Sequence, residues 1–323
     1  MEKNNTMLEV FKNPLNLEEA ISESKKLPVF PYNSNPVISK LAESGSINPF
    51  EPVKVFDNVY WVGSQAVGAV VIDTGDGYVM IDDGSNDAEA QHMAESLEEL
   101  GIDGEKIKLI MISHEHFDHY GGTQYFMKNV CPDAKVAISR IGWNLLQTVP
   151  TEFAFTDPRP EKADIFMTDG MCLEIGNTKI LCILTPGHSD GCVSFIFNAE
   201  YKGAEIMVGM MGGSATWPNM PQIRMYQNSI DYFKLYTDMA ECNAFVSAHR
   251  GKNVLEKVAL SWSGECENPW LCAKEAFDEK CLTQFRNNAL RALKCDEVQL
   301  YMMPASPMTG HSKEEGSPIP ERM

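Results

Sequence analysis

From residue 53 onward the chain alternates short apolar runs with compact polar breaks. Residues 54–63, 66–74 and 78–82 are rich in Val and Ile. Asp57-Asn58 and Gly75-Asp76-Gly77 interrupt them, so the pattern predicts a β-meander. The period then changes to that of a helix. Asn86 or Asp87 is placed to cap it, His92, Met93, Leu97 and Leu100 recur at helical spacing, and Gly101 stops it. Residues 107–112 form a fully apolar strand. Further strands are predicted at 135–139, 171–175, 179–185, 193–198, 205–210 and 244–248, with helices near 226–240 and 269–293. Strands in adjacent groups followed by strands alternating with helices suggest sheets covered by helices on their outer faces.

The flanks have a different texture. Residues 1–50 are polar, with one helical pattern at 16–27 and a Pro/Asn/Ser-rich stretch at 28–52, and read as an N-terminal extension to a catalytic domain at 51–256. Residues 257–303 read as a C-terminal helical extension whose apolar face, Phe277, Cys281, Leu282, Phe285, Ala289 and Leu293, packs on that domain. The tail at 304–323 has almost nothing apolar and is expected to be disordered.

Composition narrows the function. A hydrophobic fraction of 44% excludes an unfolded chain. Lys+Arg 27 against Asp+Glu 45 gives a net charge of -18, which repels phosphate backbones and anionic headgroups. Neither nucleic acid nor a membrane is expected as a partner, and no apolar stretch approaches the roughly 20 residues that span a bilayer. The N-terminal residues lack the basic and apolar regions of a signal peptide. The nine cysteines are odd in number and scattered. Both features lead to an expectation of reduced thiols and a cytoplasmic protein.

The chemistry lies where the strand at 107–112 ends, in Ser113-His114-Glu115-His116-Phe117-Asp118-His119. In an extended segment His114 and His116 point the same way, so both imidazoles can reach one cation. Asp118 and His119 lie beyond that alternation, before Gly121-Gly122, where they could face a second cation. Imidazole with carboxylate is a ligand set for zinc or iron rather than calcium or magnesium. Two more histidines sit at predicted strand ends, His188 in Thr185-Pro186-Gly187-His188 and His249 in Ser247-Ala248-His249. His92, on a helix pattern, and His311, in the tail, are expected to have no metal role. Cys192 follows His188 by four residues but reads as a turn thiol. Cys266, Cys272, Cys281 and Cys295 lack the Cys-x-x-Cys spacing of a structural zinc site.

The segment 114–119, the upstream Ile81-Asp82-Asp83-Gly84, the turn at 185–188 and the late His249 resemble the metallo-β-lactamase superfamily in order and spacing from about 49 to 256. The wording is closest to the third subclass of metallo-β-lactamases. The resemblance implies an α/β (α+β) fold, the four-layered αβ/βα sandwich of two mixed sheets with helices outside, and a binuclear site holding two Zn2+ per chain. It implies that His114, His116 and His188 hold the first zinc and Asp118, His119 and His249 the second, with Asp82 steadying the ligand loop from behind. One departure stands out. Many hydrolases of the superfamily carry a bridging aspartate where this chain reads Val208-Gly209-Met210-Met211-Gly212, and the cysteine or serine of the lactamase subclasses is absent there too. Met210 and Met211 are expected to pack a core.

The activity implied is that of a zinc-dependent hydrolase in which Asp118 orients a metal-activated water toward an acyl bond. The substrate is a small acyl compound, a β-lactam or other cyclic amide first, with a cytosolic lactonase or glyoxalase II-like acyl thioesterase as the alternative. Loops at 141–162, with Trp143, Phe153 and Phe155, and at 212–224, with Trp217, are expected to shape the pocket. A diiron redox protein is remote, because His116 stands where such proteins place a glutamate. The net charge argues against a nuclease.

Overall fold

The computed structural model describes residues 11–29, 48–148, 159–213, 220–249, 261, 264 and 268–271. Helix α1 (Leu17–Ser24) begins at Asn16, whose side chain accepts the Glu19 N–H while the Glu19 carboxylate accepts the Asn16 N–H, a reciprocal cap.

A seven-stranded sheet follows. Strands β1 (Pro49–Phe56), β2 (Val59–Ser64), β3 (Gly68–Asp73) and β4 (Tyr78–Ile81) form an antiparallel meander. Strands β5 (Ile107–Met111), β6 (Lys135–Ser139) and β7 (Ile165–Met167) continue it in parallel from β4. The second sheet has five strands in the order β12-β11-β10-β9-β8. Here β8 (Cys172–Ile175), β9 (Thr178–Leu184), β10 (Val193–Tyr201) and β11 (Ala204–Met210) are antiparallel, and β12 (Ala244–Val246) pairs in parallel with β11.

Period-two alternation sorts the side chains between layers. In β3, Val70 and Ile72 enter the core between the sheets, where they join Ile180, Phe195 and Phe197 of the opposite sheet. Ala69 and Val71 face the other way, toward Ala90, Met93 and Leu97 of α2 (Asp87–Glu99) and Phe126, which lies on a later helix. Both faces are apolar because both are covered, which is why the strands read as continuous hydrophobic runs. Asn86 caps α2 through its Oδ1, 3.0 Å from the Glu89 amide, as its position predicted. Two mixed sheets with flanking helices make the four-layered α+β sandwich that the resemblance implies.

Differences from the sequence reading fall at short or weakly patterned elements. The four-residue α3 (Phe117–Tyr120), α4 (Thr123–Asn129) and the three-residue β7 carry too few periods to show in a sequence. Residues 140–148, expected to begin a loop, form α5 (Arg140–Thr148), which turns Trp143 and Leu146 into a cluster with Ile112, Tyr120, Val136, Ile138 and Phe166. The last described helix, α6 (Met220–Met239), starts six residues earlier than the spacing predicted.

The N-terminal residues are integrated into this framework. Leu15 pairs with Leu173 of β8, Ala20 is fully buried in the core between the sheets, and Ser24 Oγ accepts the Phe166 amide at 2.7 Å. The C-terminal extension beyond Leu271 and the tail, including His311, lie outside the described residues.

Candidate metal centre

Parallel pairing sets where the site is built. Ile81 of β4, Met111 of β5 and Ala137 of β6 lie side by side, so these strands end at one edge of the sheet, where α/β folds place their sites. β4 delivers Asp82 and Asp83 there, and β5 delivers Ser113 to His119. From the second sheet, the β9–β10 connection brings His188 and the exit of β12 brings His249. The β2–β3 turn holds that exit, since the Gly68 amide donates to the Ala248 carbonyl at 2.9 Å and the Trp61 indole N–H to the Ser247 carbonyl at 3.1 Å.

The six residues chosen from the sequence converge as two sets. In each of the sets His114, His116, His188 and Asp118, His119, His249, one potential ligand atom per residue lies within 4.8 Å of the others. In the second set the atoms are resolved individually. His119 Nε2 is 3.2 Å from His249 Nε2, and Asp118 Oδ2 is 3.7 Å from the former and 3.6 Å from the latter. Ligands about 2.0–2.1 Å from a tetrahedral zinc are roughly 3.3 Å apart, so this triangle has the edges of a zinc site. In the first set His188 Nε2 and His116 Nδ1 are 2.9 Å apart, and the His114 ring lies 4.4 and 4.7 Å, centroid to centroid, from those of His116 and His188.

Hydrogen bonds behind the rings decide which nitrogens face the site. Asp82, fully buried, accepts the Ser113 amide at Oδ1 (2.8 Å) and both the Ser113 hydroxyl (2.9 Å) and His119 Nδ1–H (2.7 Å) at Oδ2. Because the Ser113 hydroxyl proton goes to the carboxylate, Ser113 Oγ is free to accept His114 Nδ1–H at 2.9 Å. His249 Nδ1–H donates to the Ala66 carbonyl at 3.1 Å. Each of these imidazoles therefore has its Nδ1 proton engaged and turns Nε2 toward the site, the nitrogen a cation would take. Asp82 itself has φ 64°, a left-handed conformation that aspartate tolerates better than most side chains.

Two buried nitrogens test the fit. His114 Nε2 and His116 Nε2 have no hydrogen-bond partner among the described residues. A buried acceptor left unmatched costs free energy, and a cation in front of His114 Nε2 removes that cost. Burial, and then the neighbouring imidazoles, hold His114 and His116 well below the ordinary histidine range, so both are neutral and able to ligate. Burial lowers His119 as well, but the Asp82 and Asp118 carboxylates outweigh it and bring the ring up to about 9, so a cation binding at Nε2 would displace a proton. The two sets differ in access: all of the first is buried, whereas Asp118 and His249 of the second are partly exposed.

Sequence reasoning missed several supports. Asp83 is buried, and desolvation pushes its carboxyl well above the usual range, although it accepts the Gly122 amide and the Thr123 hydroxyl. Glu115 is also buried, raised to about 7 by desolvation, and accepts the Ser189 hydroxyl at 3.1 Å and the Gly191 amide at 3.3 Å. Gly213 lies directly against His188. The Ser-His-Glu-His string was a visible signal for Glu115; nothing local marks Gly213.

Other expected site residues fall elsewhere. Trp143 is buried against Phe166, with ring centroids 6.2 Å apart, so it is a core side chain and not part of a substrate loop. Phe153, Phe155 and Trp217 lie outside the described residues. Met210 and Met211 are buried, the latter beneath the Ser194 hydroxyl at 3.4 Å, and among the described residues no acid bridges the two sets from this strand end. Cys192 is buried at 3.3 Å from Ser189 Oγ, outside both ligand sets. His92 holds the carbonyls of Phe50 and Gly63 through Nε2, a structural role.

Comparison with known proteins agrees with this geometry. Residues 63–200 match the family model of the metallo-beta-lactamase superfamily. In fold the chain is similar to the native FEZ-1 metallo-beta-lactamase from Legionella gormanii, with TM-score 0.67 and 23% identity over 78% of this chain and 98% of that one. It is also similar to BJP-1, a subclass B3 metallo-beta-lactamase of Bradyrhizobium japonicum, with TM-score 0.62 and 21% identity over 78% and 98%. In sequence it is 30% identical over 95 residues to a hydroxyacylglutathione hydrolase of Francisella tularensis subsp. novicida (strain U112), covering 29% of this chain and 31% of that protein. It is 32% identical over 96 residues to glyoxylase B2 of Dictyostelium discoideum, covering 27% and 30%. The chain thus spans about a third of the length of these two relatives. The match to the superfamily model covers residues 63–200, and the likeness to the two solved lactamases is one of fold.

Proposed function

We propose that the protein is a zinc-dependent hydrolase with two metal ions per chain, acting on an acyl bond of a small molecule. The observation that carries this reading is the pair of three-ligand sets at one sheet edge, with the rings oriented from behind. His114, His116 and His188 would hold one ion and Asp118, His119 and His249 the other. Zinc bound there supplies Lewis acidity, which polarises a carbonyl and lowers the pKa of water to about 7.

The chain's own contribution is binding and orientation. Asp118, partly exposed at the mouth, accepts a hydrogen bond from the attacking water and aims it at the substrate carbon. The buried first set excludes bulk water from the other side. Asp82 and Ser113 keep His119 and His114 turned with Nε2 toward the site throughout.

Among acyl substrates, the fold shared with FEZ-1 and BJP-1 favours a β-lactam or other cyclic amide. The segment shared with hydroxyacylglutathione hydrolase supports an acyl thioester as the second reading. Five buried cysteines outside any disulfide among the described residues suit a reducing compartment, and we place the enzyme in the cytoplasm. No helix among the described residues is long and apolar enough to cross a membrane.

A panel of chromogenic lactams, lactones and acyl thioesters, assayed on zinc-loaded and chelator-treated protein with metal analysis, tests the reading. Turnover of one class, lost on chelation and restored by zinc, is the expected result. An active preparation holding fewer than two metal ions would overturn the binuclear assignment.

A further inference from the structure

We propose that Glu115 is a positioning residue for the first metal site, tying the loop that carries His188 to the segment that carries His114 and His116. The proposal rests on reading those three histidines as zinc ligands.

The geometry follows from the chain. Glu115 stands between His114 and His116, where the backbone bends. It is buried, only 3% exposed. Its carboxylate crosses to the β9–β10 connection, where Ser189 Oγ–H donates to Oε2 at 3.1 Å and the Gly191 amide to Oε1 at 3.3 Å. Ser189 is the residue after His188. A single carboxylate therefore joins the chain neighbours of all three ligands, although His188 is 72 residues from His116 in sequence.

The surroundings are shaped for that carboxylate. A Cβ on Gly191 would lie 2.2 Å from Glu115 Oε2 and 2.5 Å from the Gly142 Cα, so no side chain fits there. The same corner is tied to β6, since Ser139 Oγ–H donates to the Gly191 carbonyl at 2.6 Å and accepts the Gly142 amide at 2.9 Å. Three separate elements thus meet on Glu115: the ligand segment, the His188 loop and the β6–α5 junction. Ligand geometry must hold to within about 0.2 Å for tight metal binding, which gives a cross-link at this place a direct effect on affinity.

The test is zinc titration against a competing chromophoric chelator, using the full-length protein in two backgrounds. His249→Ala isolates the first site and His188→Ala the second. In the first-site background, Glu115→Ala should weaken zinc binding by about 10–100-fold, the scale seen when a group that orients a ligand is lost. Glu115→Gln, whose amide oxygen keeps one of the two acceptors, should restore part of the affinity. Ser189→Ala, which removes the partner and leaves the glutamate, should weaken binding in the same direction and carries the test if Glu115→Ala does not fold. In the second-site background all three changes should leave the affinity within about twofold. Wild-type affinity in the first-site background, or an equal loss in both, overturns the proposal. Failure of unsubstituted protein to bind zinc at all would instead overturn the metal-site reading on which it rests.

Discussion

Asp82 Oδ2 lies 2.7 Å from His119 Nδ1 and 2.9 Å from Ser113 Oγ, and Ser113 Oγ in turn lies 2.9 Å from His114 Nδ1. One buried carboxylate therefore orients a candidate ligand in each set, directly for the second and through a hydroxyl for the first. Asp82→Asn tests this. Asparagine tolerates the left-handed backbone at φ 64°, so the fold should persist. Its amide, however, puts an NH2 where either His119 Nδ1–H or Ser113 must donate. With the NH2 facing His119, the ring proton is driven to Nε2 and the lone pair aimed at the site is lost. Zinc affinity of the second set should fall by about 10–100-fold, measured by chelator competition. Unchanged affinity with His119 still protonated on Nδ1, read by nitrogen-15 NMR, would contradict the role.

The five described cysteines give a pH prediction. Burial raises Cys131 and Cys172 to about 12 and pushes Cys182 and Cys192 up as well. A raised thiol pKa means protonation, and the thiolate is the nucleophile, so these residues should stay inert toward a disulfide reagent at pH 8. Together with buried Cys242, they should be absent from labelled peptides of native protein analysed by mass spectrometry and present after denaturation. Rapid native labelling of Cys131 or Cys172 would show that the core around them opens.

Much of this architecture was legible in the sequence, for identifiable reasons. The strands around Val70, Ile110 and Phe195 are flanked by turn residues and buried on both faces, so their runs are unbroken and easy to see. Four of the six candidate ligands were legible because they sit in one short string, His114, His116, Asp118 and His119, and His188 and His249 because they fall at the ends of predicted strands. What holds them was not. Ala66 acts through its carbonyl, which no side chain advertises, and reaches His249 across 183 residues. Gly213 matters for what it lacks. Trp143 was misplaced because an aromatic residue after a strand end suits a loop and a short helix equally, and the partner that decides, Phe166, is remote in sequence.

Asp118→Asn separates the two sets. The amide is nearly isosteric, so the first set of His114, His116 and His188 should be undisturbed and circular dichroism unchanged. A neutral oxygen is a poorer zinc ligand and a weaker hydrogen-bond acceptor for water. The second ion should bind more weakly, and hydrolysis should fall by at least about 10²-fold, the scale of losing a positioned catalytic group. Full turnover with two zinc ions bound would show that Asp118 is neither ligand nor acceptor.

Gly213→Ala probes the opposite side of the first set. A Cβ at this position would lie 2.3 Å from His188 Cβ, 2.6 Å from its Cγ and 2.8 Å from its Cδ2. Non-bonded carbons sit about 3.5–4.0 Å apart, so roughly 1 Å of movement is required. Gly213 cannot retreat freely, because Tyr226 O–H donates to its carbonyl at 2.8 Å from α6. The loop of His188 is pinned by the same helix, through Ser229 Oγ–H on the Pro186 carbonyl at 2.7 Å. The imidazole is the part that must yield, and a ligand displaced by that distance leaves the coordination geometry. Zinc affinity at the first set should fall by at least about tenfold and turnover by about 10²-fold, the penalty expected for a 1 Å misplacement, while the second set keeps its ion. Metal analysis after dialysis should find one zinc per chain in place of two. Two tightly held ions in the alanine variant would mean that the backbone at 213 moves instead of the ring, and that the contact between Gly213 and His188 does not fix the ligand.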